Sequence, residues 1–215
     1  MCEALFLTGV AGNPGEHFKV WLEPISPAEA ATGFEEIVRE GSSPNGVFGV
    51  KIMWAQLPDT MLSLARTTGV SGPDPLTALS THFPGVRYVH LVREDTIRQA
   101  VSWARAIQTG QWMKGDRART RPSYDPHQIR WCYDTILDGV RGWDDLLLAA
   151  GVACHRVTYE ALRARHEETV QGILAFLQLP AADPLRFQPR ETERQSDAIN
   201  EQWAERFARD LDARP

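Results

Sequence analysis

The sequence predicts an α/β protein in which a parallel sheet is flanked by helices. Two apolar segments, residues 46–54 and 86–92, each follow a turn signal containing Gly and Pro, and such segments are typical of buried strands. Residues 153–159 form a third, shorter segment of this kind. Because helical patterns separate these segments, the strands should run parallel, and ligands should bind where their carboxyl ends meet.

Five helices are predicted between and after these strands. They span residues 58–67, 95–109, 126–149, 160–178 and 198–211. Asp95 or Thr96 should cap the second helix, and Gly110 should end it. The fourth helix should break once, near His166. The first five residues, MCEAL, are also typical of a helix interior.

Two segments are predicted to be loops. Residues 69–79 are rich in Gly, Pro, Ser and Thr, and residues 111–124 are strongly basic. No internal repeat and no linker divides the chain, so we expect one domain over residues 1–215.

Composition excludes several classes of protein. The chain is 43% hydrophobic and 24% charged, and no apolar run approaches the length of about 18 residues that spans a membrane. The N-terminal residues lack the basic and apolar regions of a secretion signal. Cys2, Cys132 and Cys154 are scattered, which favours the reducing cytoplasm and free thiols. A net charge of −5 argues against a general nucleic-acid binder.

The basic residues and the histidines indicate which kinds of anion or metal site the chain could form. Only three of the 23 basic residues are lysines, so an anion site here would consist mainly of guanidinium groups. The six histidines show no metal-ligand spacing, and we expect no metal.

A predicted strand ends directly at Arg93, and a helix that carries Ser102 follows it. Ligands bind at this end of parallel strands, and a guanidinium can hold a phosphate with two parallel hydrogen bonds. Arg93 and Ser102 could therefore form an anion site. The alternative is a surface ion pair between Arg93 and Glu94 or Asp95, with no role for Ser102.

Four segments together resemble a known family. They are TGVAGNPGEHF, GVFGVKIMW, YVHLVREDTIRQAVSWARAIQTGQW and RQSDAINEQWAERF, in this order. They are similar to the trehalose 2-sulfotransferase-like family of PAPS-dependent bacterial carbohydrate sulfotransferases. The resemblance extends from about Cys2 to Phe207 and implies a fold similar to that of P-loop NTPases, with a parallel sheet flanked by helices. It also implies a homodimer, a carbohydrate acceptor and transfer of a sulfuryl group from PAPS to a sugar hydroxyl.

The resemblance assigns residues to the donor. Arg93 and Ser102 would bind the 3′-phosphate of PAPS. Arg194, Gln195 and Ser196 lie in a segment similar to the family's C-terminal donor-binding stretch, with an irregular, solvated tail as the alternative.

Glu16 is the candidate catalytic base. It follows a loop containing Gly and Pro that can carry a side chain into a cleft, and sulfuryl transfer needs a base to take the proton of the acceptor hydroxyl. Taken alone, Glu16 could be a helix cap or a surface charge; the resemblance favours the base. His17 is a second candidate base by its chemistry. The resemblance implies that the acceptor pocket is lined by the residues around Glu16, namely Asn13, Pro14, Gly15, His17, Phe18 and Lys19.

Other candidates remain open between two interpretations. Lys51 could steady sulfuryl oxygens or a sugar hydroxyl, or it could be a strand-end lysine that reaches solvent. Trp112 is the preferred tryptophan for stacking on a ligand, whereas Trp103 should belong to the core and Trp54 is undecided. A basic cluster could cover the anionic donor or be a solvated loop; it consists of Lys114, Arg117, Arg119 and Arg121.

The resemblance also implies a first strand and a Ser/Gly/Thr-rich loop directly before the helix that begins CEALF. In that loop, backbone N–H groups would cradle the 5′-phosphosulfate. The chain begins at this helix and contains no GxxxxGK[ST] motif, which also argues against a nucleotide kinase. We therefore expect the sheet to lack a piece on the order of 20 residues, through a misassigned start codon at Met1 or a truncated gene. A truncated chain could be an inactive sulfotransferase-like protein that only binds a ligand or partner.

Overall fold

The computed structural model describes residues 1–18, 27–68, 74–112, 116–187 and 198–212. Its helices are α1 (Cys2–Thr8), α2 (Pro27–Gly41), α3 (Leu57–Thr68), α4 (Pro75–His82), α5 (Thr96–Thr109), α6 (Pro126–Ala149), α7 (Tyr159–Ala164), α8 (His166–Phe176) and α9 (Ala198–Asp212). Its strands are β1 (Tyr88–Val92) and β2 (Cys154–Thr158), and short 3₁₀ turns occur at Trp54–Gln56 and Pro184–Arg186.

The two strands form a parallel pair. Tyr88 lies opposite Cys154 and Val92 opposite Thr158, so the strands end at the same edge. Helices α5 and α6 lie between them in the chain. The prediction of an α/β fold with parallel strands and helical crossovers is confirmed for this pair.

The chain divides into two compact units, each built from two segments. The first unit contains residues 1–92 and 142–189, and the second contains residues 93–141 and 190–215. A single domain over residues 1–215 stays a prediction.

The first unit has two apolar clusters. One packs α1 against β2 and α8, and its buried members are Ala4, Leu5, Ala11, Val157, Leu162, Val170, Ile173, Leu174 and Phe187. The other packs α2, α3 and α4 against the end of α6, and its buried members are Phe18, Ile37, Leu64, Leu76, Leu79 and Leu147. Burial of each Val, Leu, Ile or Phe side chain in these clusters stabilises the fold by about 1.5–3 kcal/mol before the cost of ordering the chain is subtracted.

The second unit is organised around small residues on α5. Ala100, Val101 and Ala104 are fully buried and let α5 approach α9 closely. The other buried members of this cluster are Ile129, Cys132, Trp203, Ala204 and Phe207.

Most of the predicted helix ends are confirmed. The side chain of Asp95 accepts a hydrogen bond from the backbone N–H of Arg98 at 2.9 Å and so caps α5. Gly110 ends this helix with φ 71°, in the left-handed region that glycine adopts most readily. Residues 126–149 form α6 as predicted, and the predicted break near His166 falls at Arg165, between α7 and α8.

The strand predicted over residues 46–54 is wrong. With the described residues, this segment makes two isolated bridges, an antiparallel one between Ser42 and Phe48 and a parallel one between Gly15 and Val50. Pro14, next to the second bridge, has no N–H with which to extend a ladder. The segment then turns into 3₁₀ helix at Trp54.

The loop predicted over residues 69–79 is also wrong in its second half. Asp74 accepts hydrogen bonds from the backbone N–H groups of Leu76 and Thr77, each at 3.0 Å, and begins α4. Asp74-Pro75 is therefore a helix cap followed by proline at the first helical position, not a turn. Helix α2 is absent from the sequence prediction. Among the described residues, no helix is long and apolar enough to cross a membrane.

Candidate active site

The segment that carries Glu16, residues 10–17, is fixed by a close backbone approach; we call it the Glu16 loop. Gly12 has φ 75°, and a Cβ there would lie 2.4 Å from the backbone nitrogen of Gly49. A Cβ on Gly49 would in turn lie 2.9 Å from the carbonyl oxygen of Ala11. Both positions therefore need glycine, and the loop lies directly on residues 41–51.

Hydrogen bonds hold the two segments in register. The backbone N–H groups of Asn13 and Gly49 both donate to the carbonyl oxygen of Gly41, at 2.8 and 2.9 Å. The side-chain amide of Asn45 donates to the carbonyl oxygen of Val10 at 2.9 Å. The backbone of the Glu16 loop is thus positioned before any ligand binds.

Each oxygen of the Glu16 carboxylate has a described partner. Oε1 lies 2.7 Å from Nζ of Lys51, and Oε2 accepts a hydrogen bond from Nε2 of Gln56 at 2.8 Å. The backbone N–H of Lys51 donates to the carbonyl oxygen of Gly15 at 2.8 Å, which places the lysine beside the carboxylate. The side chains of Glu16 and Lys51 remain 29% and 42% exposed, so the pair is accessible from solvent.

Two predicted site residues, Glu16 and Lys51, are therefore brought together. An ammonium group at this distance favours the ionised carboxylate, which is the form that accepts a proton. Lys51 pairs with Glu16 and is also exposed to solvent, so its role as a site residue and the alternative of a lysine that reaches solvent both stay predictions.

Gln56 is missing from the predicted site. Its Oε1 accepts a hydrogen bond from the backbone N–H of Met53 at 3.3 Å, at the start of the 3₁₀ turn. A glutamine three residues after a helix's first capping position is a recognisable local signal. That signal indicates a cap, but it does not reveal the contact with Glu16.

His17 has a defined protonation at one ring nitrogen. Its Nε2 lies 2.7 Å from the carbonyl oxygen of Asn13, which can only accept a hydrogen bond. Nε2 must therefore carry a proton in this arrangement, and it cannot act there as the base.

The other predicted acceptor residues have different surroundings. The ring of Pro14 packs against Gly49, and Gly15 forms the bridge to Val50. Phe18 is only 4% exposed and packs edge-on against Phe48 in the core of the first unit. Lys19 lies outside the described residues.

In the second unit, Arg93 directly follows β1 and is half-buried, as is Ser102 on α5. Burial raises the pKa of the nearby Asp95 carboxyl, but hydrogen bonds from Arg98 and the charges of Arg98 and Arg93 outweigh it, so the pKa lies below its usual value. Arg98 also binds Glu201 of α9, with Nη2 2.7 Å from Oε2. The alternative prediction for Arg93 was a surface ion pair with Glu94 or Asp95. Of these two carboxylates, Asp95 forms an ion pair with Arg98.

The C-terminal donor residues of the prediction, Arg194, Gln195 and Ser196, lie outside the described residues. The described chain resumes at Ala198 with α9.

The basic segment after α5 is tied back to that helix. Trp112 is 59% exposed, and its backbone N–H donates to Oδ2 of Asp116 at 2.8 Å. The backbone N–H of Arg119 donates to the carbonyl oxygen of Thr109 at 2.9 Å. Lys114 is outside the described residues, and the exposed positions include Arg117, Arg119 and Arg121.

The remaining candidate tryptophans pack within the protein. Trp54 covers Gly142, where a Cβ would lie 2.2 Å from its ring, and stands edge-on to Trp143 with centroids 5.6 Å apart. Trp103 lies 5.3 Å from Trp131, centroid to centroid. Within the described part of the chain, no group of three or more His, Cys, Asp or Glu side chains is arranged to hold a metal.

An α/β fold with parallel strands and a fixed carboxylate beside an ammonium group is consistent with a group-transfer enzyme. The family model for Stf0 sulphotransferases matches residues 1–210, and the chain belongs to that family.

Two relatives carry the name trehalose 2-sulfotransferase. The protein from Mycolicibacterium smegmatis is 30% identical over 254 aligned positions, covering 98% of this chain and 90% of the relative. The protein from Mycobacterium tuberculosis is 27% identical over 241 positions, covering 96% of this chain and 88% of the relative. The resemblance found in the sequence is confirmed.

Proposed function

We propose that the protein transfers a sulfuryl group from PAPS to a hydroxyl of a trehalose-like carbohydrate or of a glycosylated small molecule. Membership of the Stf0 family supports the reaction type. The names of the two relatives support a carbohydrate acceptor.

The observation that carries this proposal is the carboxylate of Glu16, held at one oxygen by Lys51 and at the other by Gln56. A sugar hydroxyl is a weak nucleophile, so a positioned base accelerates its attack, typically by roughly 10²–10⁴-fold. A loop fixed by glycine contacts keeps such a base in place without a ligand-induced rearrangement.

In the proposed reaction, the acceptor oxygen forms a bond to sulfur while the bond from sulfur to the 5′-phosphate oxygen breaks. Glu16 takes the proton of the acceptor hydroxyl, and PAP leaves with the electron pair of the broken bond. When Glu16 becomes neutral, the ammonium of Lys51 loses its partner at 2.7 Å. Lys51 is then available to neutralise the sulfuryl oxygens, whose charge must be balanced during the in-line transfer.

On the donor side, we assign the 3′-phosphate of PAPS to Arg93 and Ser102. A half-buried guanidinium directly after a strand can make two parallel, charge-assisted hydrogen bonds to a phosphate. We also assign Arg194, Gln195 and Ser196 to the donor on the family resemblance. On the family resemblance, we assign the acceptor pocket to Asn13, Pro14, Gly15, His17, Phe18, Lys19, Lys51 and Trp112; the buried ring of Phe18 would support the pocket from behind rather than contact the sugar.

A catalytically inactive protein that only binds a ligand or partner is the second candidate, since a fold of this class can bind without reacting.

The free thiols of Cys2, Cys132 and Cys154 support our placing the enzyme in the cytoplasm. The family resemblance supports a homodimer.

The test is transfer of ³⁵S from labelled PAPS to a panel of sugars that includes trehalose, with products separated by chromatography. We expect a labelled sugar and release of PAP. PAP binding without transfer to any member of the panel would favour the inactive protein.

A binding experiment separates the donor site from the base. Arg93→Ala should weaken PAP binding by roughly 10-fold or more, because a charged hydrogen bond is lost. Arg165→Ala removes another guanidinium, one that is paired with Glu168 on the surface, and serves as the matched control. Equal PAP affinities in the two variants would remove Arg93 from the donor site.

A further inference from the structure

The amide of Gln56 has only one orientation that satisfies both of its neighbours. Its Oε1 accepts from the backbone N–H of Met53 at 3.3 Å, while its Nε2 donates to Glu16 at 2.8 Å. A backbone N–H can only donate and a carboxylate can only accept, so a flipped amide would lose both hydrogen bonds. The start of the 3₁₀ turn therefore fixes which atom faces Glu16.

Gln56 and Lys51 hold the carboxylate from two different backbone segments. Lys51 contacts Oε1 from the extended residues that bridge to the Glu16 loop, and Gln56 contacts Oε2 from the 3₁₀ turn. A single contact would leave the carboxylate free to turn about its terminal bond. Contacts at both oxygens restrain that rotation.

We propose that Gln56 is a positioning residue for the base, fixing the plane of the Glu16 carboxylate toward the acceptor hydroxyl. This inference rests on the proposed function, in which Glu16 takes the acceptor proton. The turn that Gln56 caps is thereby part of the catalytic apparatus, although Gln56 itself does not touch the reacting atoms.

The contact between Gln56 and Glu16 can be tested by changing the charge of the side chain at position 56. Two described side chains near Glu16 can carry charge: Lys51, which is paired with it, and the adjacent His17, whose Nε2 donates to the carbonyl oxygen of Asn13. Gln56 is the neutral donor of the set. In Gln56→Glu, a carboxyl still accepts the Met53 N–H and preserves the cap, but it faces Glu16 with a second carboxyl. Two such groups share a proton and titrate together, at higher pH than one carboxylate beside an ammonium group.

The experiment compares pH profiles of kcat/KM for the wild-type protein and Gln56→Glu with PAPS and the acceptor. We expect the acidic limb to move upward by about one pH unit or more, so that kcat/KM on that limb falls about tenfold. Gln202→Glu adds the same charge at an exposed position of α9 and should leave the profile unchanged. Gln56→Met, which lacks a donor, should lower kcat by roughly tenfold at all pH values, with KM for PAPS unchanged.

A second readout does not depend on turnover. The titration of the Glu16 carboxyl, followed by ¹³C NMR in the protein without substrates, should shift to higher pH in Gln56→Glu. Superimposable titrations and pH profiles in wild type and Gln56→Glu would overturn the inference and leave Gln56 as a cap only. If instead the NMR titration shifts but no sugar is sulfated, the proposed function fails while the contact between Gln56 and Glu16 stands.

Discussion

Two ion-pair groups, one in each unit, differ in what holds them. In the first unit, Glu16, Lys51 and Gln56 lie on a loop, an extended segment and a 3₁₀ turn. In the second unit, Arg98 connects Asp95, the cap of α5, to Glu201 on α9. The first group sits on irregular backbone, and the second joins two regular helices.

We infer from this difference that the first group positions a functional side chain, whereas the second group stabilises the fold. The helices around Arg98 are placed by the buried core of Ala100, Val101 and Trp203, and the ion pairs add to a contact that packing already creates. At Glu16 no ladder or helix packing sets the geometry. Glycine contacts, a few backbone hydrogen bonds and the side chains of Lys51 and Gln56 set it instead. So many separate contacts around one surface charge favour a functional role for that charge.

Replacement of Glu16 should have the largest effect on activity and therefore tests the comparison most directly. Glu16→Gln preserves the shape of the side chain but removes the base, so kcat should fall by roughly 10²–10⁴-fold while PAP affinity is retained. The free energy of unfolding should change by no more than about 1 kcal/mol, because the pair is partly exposed. Steady-state kinetics and urea unfolding measure the two effects. Unchanged turnover would exclude Glu16 as the base.

The glycine contact beneath Glu16 provides the second test. Gly12→Ala combines a left-handed φ with a clash at Gly49, and should destabilise the protein by about 3 kcal/mol. Gly46→Ala is the matched control, since Gly46 has φ 80° but open space around it; it should cost about 1 kcal/mol. Equal costs, measured by urea unfolding, would mean that the Glu16 loop does not depend on the close approach.

The second group should make stability depend on pH. The pKa of Asp95 is below its usual value in the folded protein, so its contribution is present above the unfolded pKa of about 4 and is lost as the pH falls through the lower, folded value. Asp95→Asn keeps a capping side chain without the charge and should cost about 1 kcal/mol at pH 7. Unfolding of the two proteins at pH 7 and pH 3 should show the difference shrinking; a constant difference would contradict this role for the charge.

The smallest effect is expected at an isolated surface pair. Arg39 lies 3.8 Å from Glu36 on α2, and the two side chains are 72% and 56% exposed. Arg39→Ala should change the free energy of unfolding by less than about 0.5 kcal/mol. This variant gives the effect of an exposed ion pair against which the Glu16 and Asp95 groups are compared. A loss of unfolding free energy as large as that for Asp95→Asn would show that partial burial does not make the Asp95 group more stabilising.

Local signals predicted much of the fold. Asp95 and Gly110 bound α5 through chemistry that lies within a few residues, and α6 has the predicted bounds for the same reason. The strand predicted over residues 46–54 was wrong because its apolar pattern carries no information about the segment that lies next to it in the structure, residues 10–15. Pro14 and the glycine contacts decide that, and they are distant in sequence.

The candidate site was predictable in part. Glu16 was selected through the family resemblance, because a single glutamate after a loop with glycine and proline could equally be a cap or a surface charge. Lys51 was selected because a lysine in an apolar segment needs a partner or a water-filled site. Gln56 could not be found, since its contact with Glu16 spans 40 positions and depends on a turn that replaces the predicted strand. Residues 19 and 194–196 lie outside the described chain, and their assignments stay predictions.

The division of the chain has a consequence for synthesis on the ribosome. Each unit is assembled from two separated segments, so β1 must wait for β2, which is translated only after most of the second unit. The second unit in turn waits for α9, the last helix in the chain. The cluster of α1, β2 and α8 in the first unit and the core of the second unit therefore cannot close early, and the apolar face of α5 lacks the cover of α9 until that helix has been synthesised.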